Sequence, residues 1–543
     1  MANTTDIFRI LTVAPSLIQI EVLDADQFKQ DVDDFTIGSY LKISDDSNTS
    51  IIALVQSFKI KETTTSGEAE PIIPTFILDA QPIGFLDRQG VFKRGGQQIA
   101  IPPSNVSIAD ETILRSIYEA VDAEKKFIFS SLAQNTTIDI AVDGDKFFSK
   151  HIAVVGSTGS GKSGTVAKIL QEGIKPTEDQ TQRSILNNSH ILLFDLHGEY
   201  AKAFPKSKKL SVNNLVLPYW LMNSEELEEM FIESNENNSH NQISQFRYAV
   251  IQSKKKHNPN VENPSYDSPL YFSLIEVHNF ITNLNNEIVG KLDGENAKPK
   301  LANGTLVGNR CDYYFDSKQS FVVSSTATAA KASNGPFNGE FDRFVMRLES
   351  KINDDRLSFL LKPKKANGEV ETEYSTSDLP YILKQFVGYS DSAEENITII
   401  DLSGIPFEVL SIVVSLISRL VFDFCFYYKA IKQETNEVPF LLVLEEAHNY
   451  IPKSEGAKFH SVKKSVERIA KEGRKYGLSL MIVSQRPSEI SETIFSQCNN
   501  FVAMRLTNPS DQQYVKRLMP DSVSAITDTL PVLERQEALI MVN

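Results

Sequence analysis

The stretch Gly156-Ser157-Thr158-Gly159-Ser160-Gly161-Lys162-Ser163, continued by Gly164, constrains this chain more than any other. An apolar run, Ile152-Ala153-Val154-Val155, enters it, and the helix-competent segment Thr165-Val166-Ala167-Lys168-Ile169-Leu170 leaves it. Strand, glycine-rich turn and helix start is the setting in which G-x-x-x-x-G-K-[ST] binds phosphate. The glycines permit backbone angles that a side chain forbids, so successive N–H groups can face a β-phosphate beside the helix N-terminus. In this pattern Lys162 reaches the β and γ phosphates of ATP, and the Ser163 hydroxyl ligates Mg²⁺.

A chain of 543 residues is too long for one core and points to roughly three or four domains. A net charge of −15 argues against a generally basic nucleic-acid coat, though it does not speak to one local channel. Cys311, Cys425 and Cys498 are far apart and fit neither a disulfide framework nor a zinc site. The most apolar segment, Val409 to Tyr428, is interrupted by Arg419 and Asp423, whereas a membrane span needs roughly 20 mostly uncharged residues. Met1–Asp6 has neither the basic start nor the apolar stretch of a signal peptide. The expectation is a cytoplasmic protein with no membrane segment.

The chain divides by pattern. Residues 1–125 carry short β-like runs (Phe8–Val13, Leu17–Val22, Ile51–Val55, Thr75–Leu78) separated by turn formers, as in a small barrel or sandwich, followed by a helix over Ile108–Ala123. Residues 126–216 hold Thr137–Val142, the phosphate loop and the strand Ser189–Asp195, the start of a parallel doubly wound α/β sheet. Residues 217–395 are polar and helix-leaning, a helical insertion: Ser224 is a plausible N-cap for Ser224–Phe231, Phe341–Leu348 is a further helical segment, and Lys254-Lys255-Lys256-His257-Asn258-Pro259 reads as an exposed loop, solvated or touching DNA. Residues 396–543 return to core strands at Ile397–Leu402, Pro439–Leu444 and Leu478–Ser484, with a buried helix from Val409.

Two strands end in acids: Asp195 on one, Glu445 and Glu446 on the other. Hydrolysis needs one carboxylate beside the metal and another to polarise the attacking water. Glu445 is therefore assigned to Mg²⁺ and Glu446 to the base, with Asp195 and Glu199 as supporting polar residues near the γ-phosphate. Gln485 ends the last strand, where an amide can sense a γ-phosphate or serve simply as a turn residue. Arg474, on the turn before that strand, is either a surface residue or an arginine finger for a neighbouring nucleotide.

These residues, together with Phe194-Asp195-Leu196-His197-Gly198-Glu199-Tyr200, Leu217-Pro218-Tyr219-Trp220, Leu444-Glu445-Glu446-Ala447-His448, Glu472-Gly473-Arg474-Lys475-Tyr476-Gly477 and Ser484-Gln485-Arg486-Pro487, strongly resemble the HerA family within the HerA/FtsK class of DNA-pumping ATPases. The resemblance implies an N-terminal β-barrel of the HAS-barrel type, a RecA-like core, a helical-bundle insertion and a homohexameric ring around a pore for double-stranded DNA. It implies nucleotide and Mg²⁺ binding at Lys162 and Ser163, a catalytic base at Glu446, an arginine acting in trans at Arg474, a sensor at Gln485 and a basic residue acting across the interface at Lys150. It also implies a partner docked on the barrel, either a NurA-type or other nuclease or, in phage defence, a sirtuin-like NAD-consuming effector. Gln536 stands where such proteins commonly carry glycine, and the chain ends at Asn543, short of their C-terminal tail. Two functions fit. One is a ring translocase or helicase using Lys453, Lys458, His460, Lys463 and Lys464 on DNA, unless those cations are a solvated helix face. The other is a nucleotide-dependent hexameric scaffold that regulates an effector without processive movement.

Overall fold

The computed structural model describes residues 7–24, 35–44, 50–62, 74–94, 105–175, 186, 190–233, 236, 238–290, 298–327, 331–387, 396–433, 439–453, 459–519 and 526–542. Met1–Asp6, Ser189, Lys458 and Asn543 lie outside the described residues. The chain forms two compact units: Met1–Phe148, Val154–Asn187 and Asn499–Asn543 make one, and Ser149–Ala153 with Asn188–Cys498 make the other.

The first unit opens with an antiparallel sheet of β1 (Phe8–Val13), β2 (Ile18–Val22), β3 (Tyr40–Ser44), β4 (Ser50–Glu62), β5 (Pro74–Leu86), β6 (Phe92–Arg94) and β7 (Asn105–Ile108). Its order is β1-β2-β5-β4-β3-β7, with β6 on β5. Strict alternation drives it: Ile18, Ile20, Val22, Leu41, Ile43, Ile51, Ala53, Val55, Leu78, Ala80 and Val106 share one core. A single sheet that buries one face against itself must curl, and bulges at Ile52/Ala53 and Val55/Ser57 bend β4 further, giving a half-barrel. The helix expected from Ile108 is shorter, α1 (Glu111–Tyr118), because Ile108 still belongs to β7 and the Asp110 carboxylate caps the Ile113 N–H. A hairpin follows, β8 (Lys126–Leu132) and β9 (Asn135–Asp143). Strand β10 (His151–Val155) starts in the second unit and ends in the first, where the phosphate loop leads into α2 (Lys162–Ile174).

The second unit is built on β11 (His190–Asp195) and β12 (Lys208–Leu210), then the helices α3 (Ser224–Phe231), α4 (Ser239–His257), α5 (Leu274–Asn286), α6 (Asp342–Ile352) and α7 (Leu379–Val387). It continues with β13 (Ile397–Asp401), α8 (Phe407–Lys432), β14 (Phe440–Leu444), α9 (His460–Glu472) and β15 (Leu478–Ser484). The five strands are parallel in the order β12-β13-β11-β14-β15. Their continuous apolar runs are buried on both faces, as parallel sheets require. Register pairs Asp195 with Asp401, Phe194 with Leu444, and Leu444 with Ile482, so the acids and the end of β15 emerge along one carboxyl edge, where α/β sheets carry their sites. The chain then returns to the first unit with β16 (Cys498–Met504), α10 (Pro509–Leu518) and β17 (Ala538–Met541), the last antiparallel to β16. The second unit is thus a parallel α/β sheet with a helical region between β12 and β13, and the first unit carries the half-barrel.

The helical region differs from its sequence reading in three respects. Asn223, not Ser224, caps α3: its side chain accepts the Glu226 N–H while Glu226 accepts the Asn223 N–H, a reciprocal box that a residue one position later could not close. The run from Lys254 is the last turn of α4 rather than a loop, and Lys254 is fully buried, its Nζ donating to the carbonyls of Tyr266 and Ser268. Burial pushes that ammonium down to about 8. Lys256 is paired with Glu276 and Asp316. Short strands also interrupt the helices, at Ile288–Gly290, Lys298–Pro299, Ala332–Asn334, Lys364–Asn367 and Val370–Glu373.

Helix α8 is long and apolar enough by composition to cross a membrane, but most of that window is buried within the protein. Its inward-set charges are matched: Arg419 Nη2 lies 2.8 Å from Glu226 Oε2 and 2.6 Å from the Leu221 carbonyl, Ser415 Oγ donates to Glu226 Oε1 at 2.9 Å, and Asp423 lies 3.6 Å from Arg419 Nη1. Removing one half of a buried pair strands the other's charge. Arg419→Leu should therefore destabilise the fold by about 3–5 kcal/mol, read from the urea midpoint, and Glu226→Met/Arg419→Leu together should recover most of the loss.

Candidate active site

In the first unit the loop from Gly156 to Gly164 is shaped by packing as well as by its glycines. A Cβ on Gly156 would lie 2.5 Å from Ser160 Oγ and 2.9 Å from Met504 Cβ. Gly161 stands at φ 105, left-handed, and hands the chain to α2 with no side chain to cap its first turn. Those first-turn N–H groups, with the helix dipole behind them, suit an anion. The loop's outer polar atoms are tied back: Ser157 N–H donates to Arg505 O at 2.8 Å, Thr507 N–H to Ser157 Oγ at 2.9 Å, and Gln536 N–H to Ser160 O at 2.9 Å. Lys162 is buried, with Nζ 3.4 Å from Ser157 O. Ser160 is buried, Ser157 and Ser163 half-buried, and Thr158, Gly159 and Gly164 exposed. The anchors Arg505, Thr507 and Met504 carry no motif signal, because their role is set by a strand more than 300 residues away.

In the second unit Asp195 is fully buried and spends both oxygens on backbone N–H groups: Oδ1 accepts from Gly198 (2.8 Å) and Glu199 (3.1 Å), Oδ2 from Tyr200 (3.0 Å). It thereby holds the turn that carries Glu199. Glu445 is 2% exposed and its Oε2 accepts the Leu196 N–H at 3.2 Å. Burial first, then the charges of Asp195 and Glu199, push its carboxyl up to about 8. Two crowded buried carboxyls of this kind fit a divalent cation, whose charge would relieve their repulsion, and Mg²⁺ commonly takes only one or two protein carboxylates. Among the described residues no group of three or more His, Cys, Asp or Glu forms a metal cluster.

Glu446 follows with φ 45, a left-handed conformation that costs a non-glycine residue about 1–2 kcal/mol. Such outliers collect at functional sites. Its Oε2 is buried without a hydrogen bond among the described residues and lies 3.4 Å from His448 Nδ1, which is 3.2 Å from Ser484 Oγ. Tyr450 OH donates to the Glu445 carbonyl at 2.6 Å, pinning the segment. The second unit thus brings Asp195, Glu445, Glu446 and the end of β15 together, and Gln485 is the half-buried residue that follows.

Arg474 is exposed on the 3₁₀ turn Gly473–Tyr476 after α9. That turn is braced by Tyr476 against Phe422 and Phe426, and by Lys429 Nζ donating to Lys475 O at 2.7 Å. Lys150 is half-buried at the start of β10. The sequence reading missed its neighbour His151, which is 1% exposed: Leu480 N–H donates to Nδ1 at 3.0 Å, which puts the proton on Nε2, 3.0 Å from Ala470 O. One ring joins the strand entering the phosphate loop, the helix leading to Arg474 and the strand leading to Gln485. Of the cations considered for DNA, Lys464 pairs with Glu225 and Lys453 lies 3.8 Å from Glu492, His460 is exposed and Lys463 half-buried.

The family profile described as "Helicase HerA, central domain" matches residues 128–421. A protein named probable helicase MJ1565, from Methanocaldococcus jannaschii, is 25% identical over 78% of this chain and 67% of its own. The probable DNA double-strand break repair helicase HerA of the same organism is 23% identical over 86% of this chain and 83% of its own. The DNA double-strand break repair helicase HerA of Saccharolobus solfataricus is 25% identical over 80% and 69%.

Burial holds His151 down to about 4, so between pH 6.5 and 4 the unfolded chain binds a proton that the folded chain does not. The stability it contributes is present above its unfolded pKa and is lost as pH falls. The stability advantage of wild type over His151→Gln should shrink by about 3 kcal/mol from pH 7 to pH 4, measured by chemical unfolding at each pH.

Proposed function

From the premise that this chain belongs to the HerA helicase central-domain family, and is a P-loop ATPase, we propose that it is an ATP-hydrolysing ring motor that moves along or unwinds double-stranded DNA. The reading is supported above all by Glu446: a buried carboxylate in a costly backbone conformation, at the carboxyl edge of the parallel sheet, with an oxygen no donor occupies among the described residues. The relatives are named helicases, two of them for double-strand break repair.

The roles follow from the chemistry of each group. Lys162 and the N–H groups of Gly156 to Ser163 neutralise the phosphates, with Gly164 continuing the first turn. Ser163 and Glu445 would hold Mg²⁺, which when bound draws charge from the β- and γ-phosphate oxygens. Glu446 orients the attacking water and takes its proton, and Gln485 reads the presence of the γ-phosphate. Asp195 serves through the turn it fixes. Arg474, exposed on a braced turn, acts in trans on a neighbour's nucleotide, with Lys150 as a second basic group, and this requires a homohexamer. The half-barrel docks a partner, a nuclease or an NAD-consuming effector, and the assembly works in the cytoplasm.

Glu446→Gln keeps the shape and loses the base, so ATP binding should persist while kcat falls about 10²- to 10⁴-fold, and unchanged turnover would show that another carboxylate is the base. Rings mixed from Arg474→Ala and Glu446→Ala subunits should regain part of the activity that each variant lacks alone. Duplex DNA should stimulate hydrolysis at low salt and progressively less as salt rises. Absence of any stimulation from an intact ring at low salt refutes the DNA reading.

A further inference from the structure

Gln536 is one of three non-glycine residues at positive φ among the described residues, at 72°. The other two are Glu446 and Gln433, which follows the last turn of α8. A glutamine held there needs a reason, because glycine would adopt the same angle without the steric cost. Its surroundings supply one. The Gln536 N–H donates to the Ser160 carbonyl at 2.9 Å, so this residue is bonded to the phosphate loop itself. A Cβ placed on Gly161 would lie 3.1 Å from Gln536 Cγ, so the side chain runs across the last glycine before Lys162. The turn is held from its other side: Glu534 N–H donates to Glu537 Oε2 at 2.8 Å, and β17 follows at once, its Ala538 in register with Met504 under the loop. The residue is nevertheless exposed. The backbone is fixed, Cγ lies against the last glycine before α2, and the residue is open to solvent there.

We propose that Gln536 is a nucleotide contact, whose carboxamide binds the ribose or base of the nucleotide seated in the loop. The inference rests on the reading of Gly156 to Ser163 as a nucleotide site. The loop N–H groups and Lys162 already match the charged oxygens of the phosphates. A carboxamide is uncharged and offers two donors and an acceptor on one head, which complements hydroxyls and the edge of a base. Its backbone N–H braces the loop in any case, so the side chain and the main chain have separable tasks.

Substitution separates them. Gln536→Gly keeps the N–H to Ser160, relieves the positive φ and removes the carboxamide. Gln536→Ala keeps the strained angle and also removes the head. Binding to the full-length protein is measured by calorimetry with ATP and with inorganic tripolyphosphate, which carries the phosphates alone. Both variants should bind ATP about 3- to 10-fold more weakly than wild type, the range for one lost hydrogen bond, and bind tripolyphosphate as wild type does. Gln536→Gly should melt no lower than wild type, so the loss of affinity is not a loss of fold. Equal ATP affinity in wild type and Gln536→Gly overturns the proposal. So does an equal weakening toward ATP and tripolyphosphate, which would assign the effect to loop geometry. Failure of wild type to bind either ligand, or binding that survives Lys162→Ala unchanged, overturns instead the nucleotide site on which the proposal rests.

Discussion

A loop that turns its backbone N–H groups toward a ligand must turn carbonyls the other way, and each of those needs a donor. In this protein the Ser157 carbonyl receives Ser160 N–H and Lys162 Nζ, and the Ser160 carbonyl receives Gln536 N–H. The loop is therefore not a free glycine hinge. It is a preorganised nest whose outward side is satisfied by a lysine within the motif and by a turn near the end of the chain. Ser157, hydrogen-bonded to Arg505 and Thr507, ties it further to the segment that follows β16.

The acidic edge of the second unit works by a similar division between groups spent on structure and groups held in reserve. Asp195 is fully engaged in backbone hydrogen bonds, so its burial is compensated and it acts as a scaffold. Glu445 has one donor and two acidic neighbours, and its carboxyl rises accordingly. Glu446 has neither a relaxed backbone nor a hydrogen bond to Oε2 among the described residues. The gradient from satisfied to unsatisfied runs toward the residue assigned the chemistry, as expected where stability is given up for function.

In the second unit, polar contacts link helices that belong to different parts of the chain. Glu226 of α3 meets Arg419 and Ser415 of α8, Glu229 of α3 receives Ser411 of α8 and the N–H of Ser461 in α9, and Lys464 of α9 pairs with Glu225. Helix α9 lies between β14 and the turn bearing Arg474, so the helical region is bonded to the element that presents the arginine. His151 adds a second clasp at the far end of that helix through Ala470. Arg474 is exposed, yet its backbone is held on several sides.

Much of this was legible in the chain as written. The spacing from Gly156 to Ser163 demands a strand before it and a helix after it, and continuous apolar runs ending in Asp195 and in Glu445-Glu446 demand buried parallel strands with acids at their ends, because those patterns rest on local geometry and on burial of both sheet faces. The sequence alone thereby determined the phosphate loop, the strands that carry the acids and the all-β start. Only the tertiary structure decided which polar groups are spent and which are free to act. Lys254 reads as one of a run of surface lysines until two carbonyls from Tyr266 and Ser268 enclose it, and His151 is an ordinary strand residue until Ala470 and Leu480 arrive from more than 300 positions away. The left-handed angles of Glu446 and Gln536 likewise follow from what surrounds them. Residue type and spacing fix what a side chain can do, whereas hydrogen-bond satisfaction and backbone strain depend on partners that only the folded chain brings within reach.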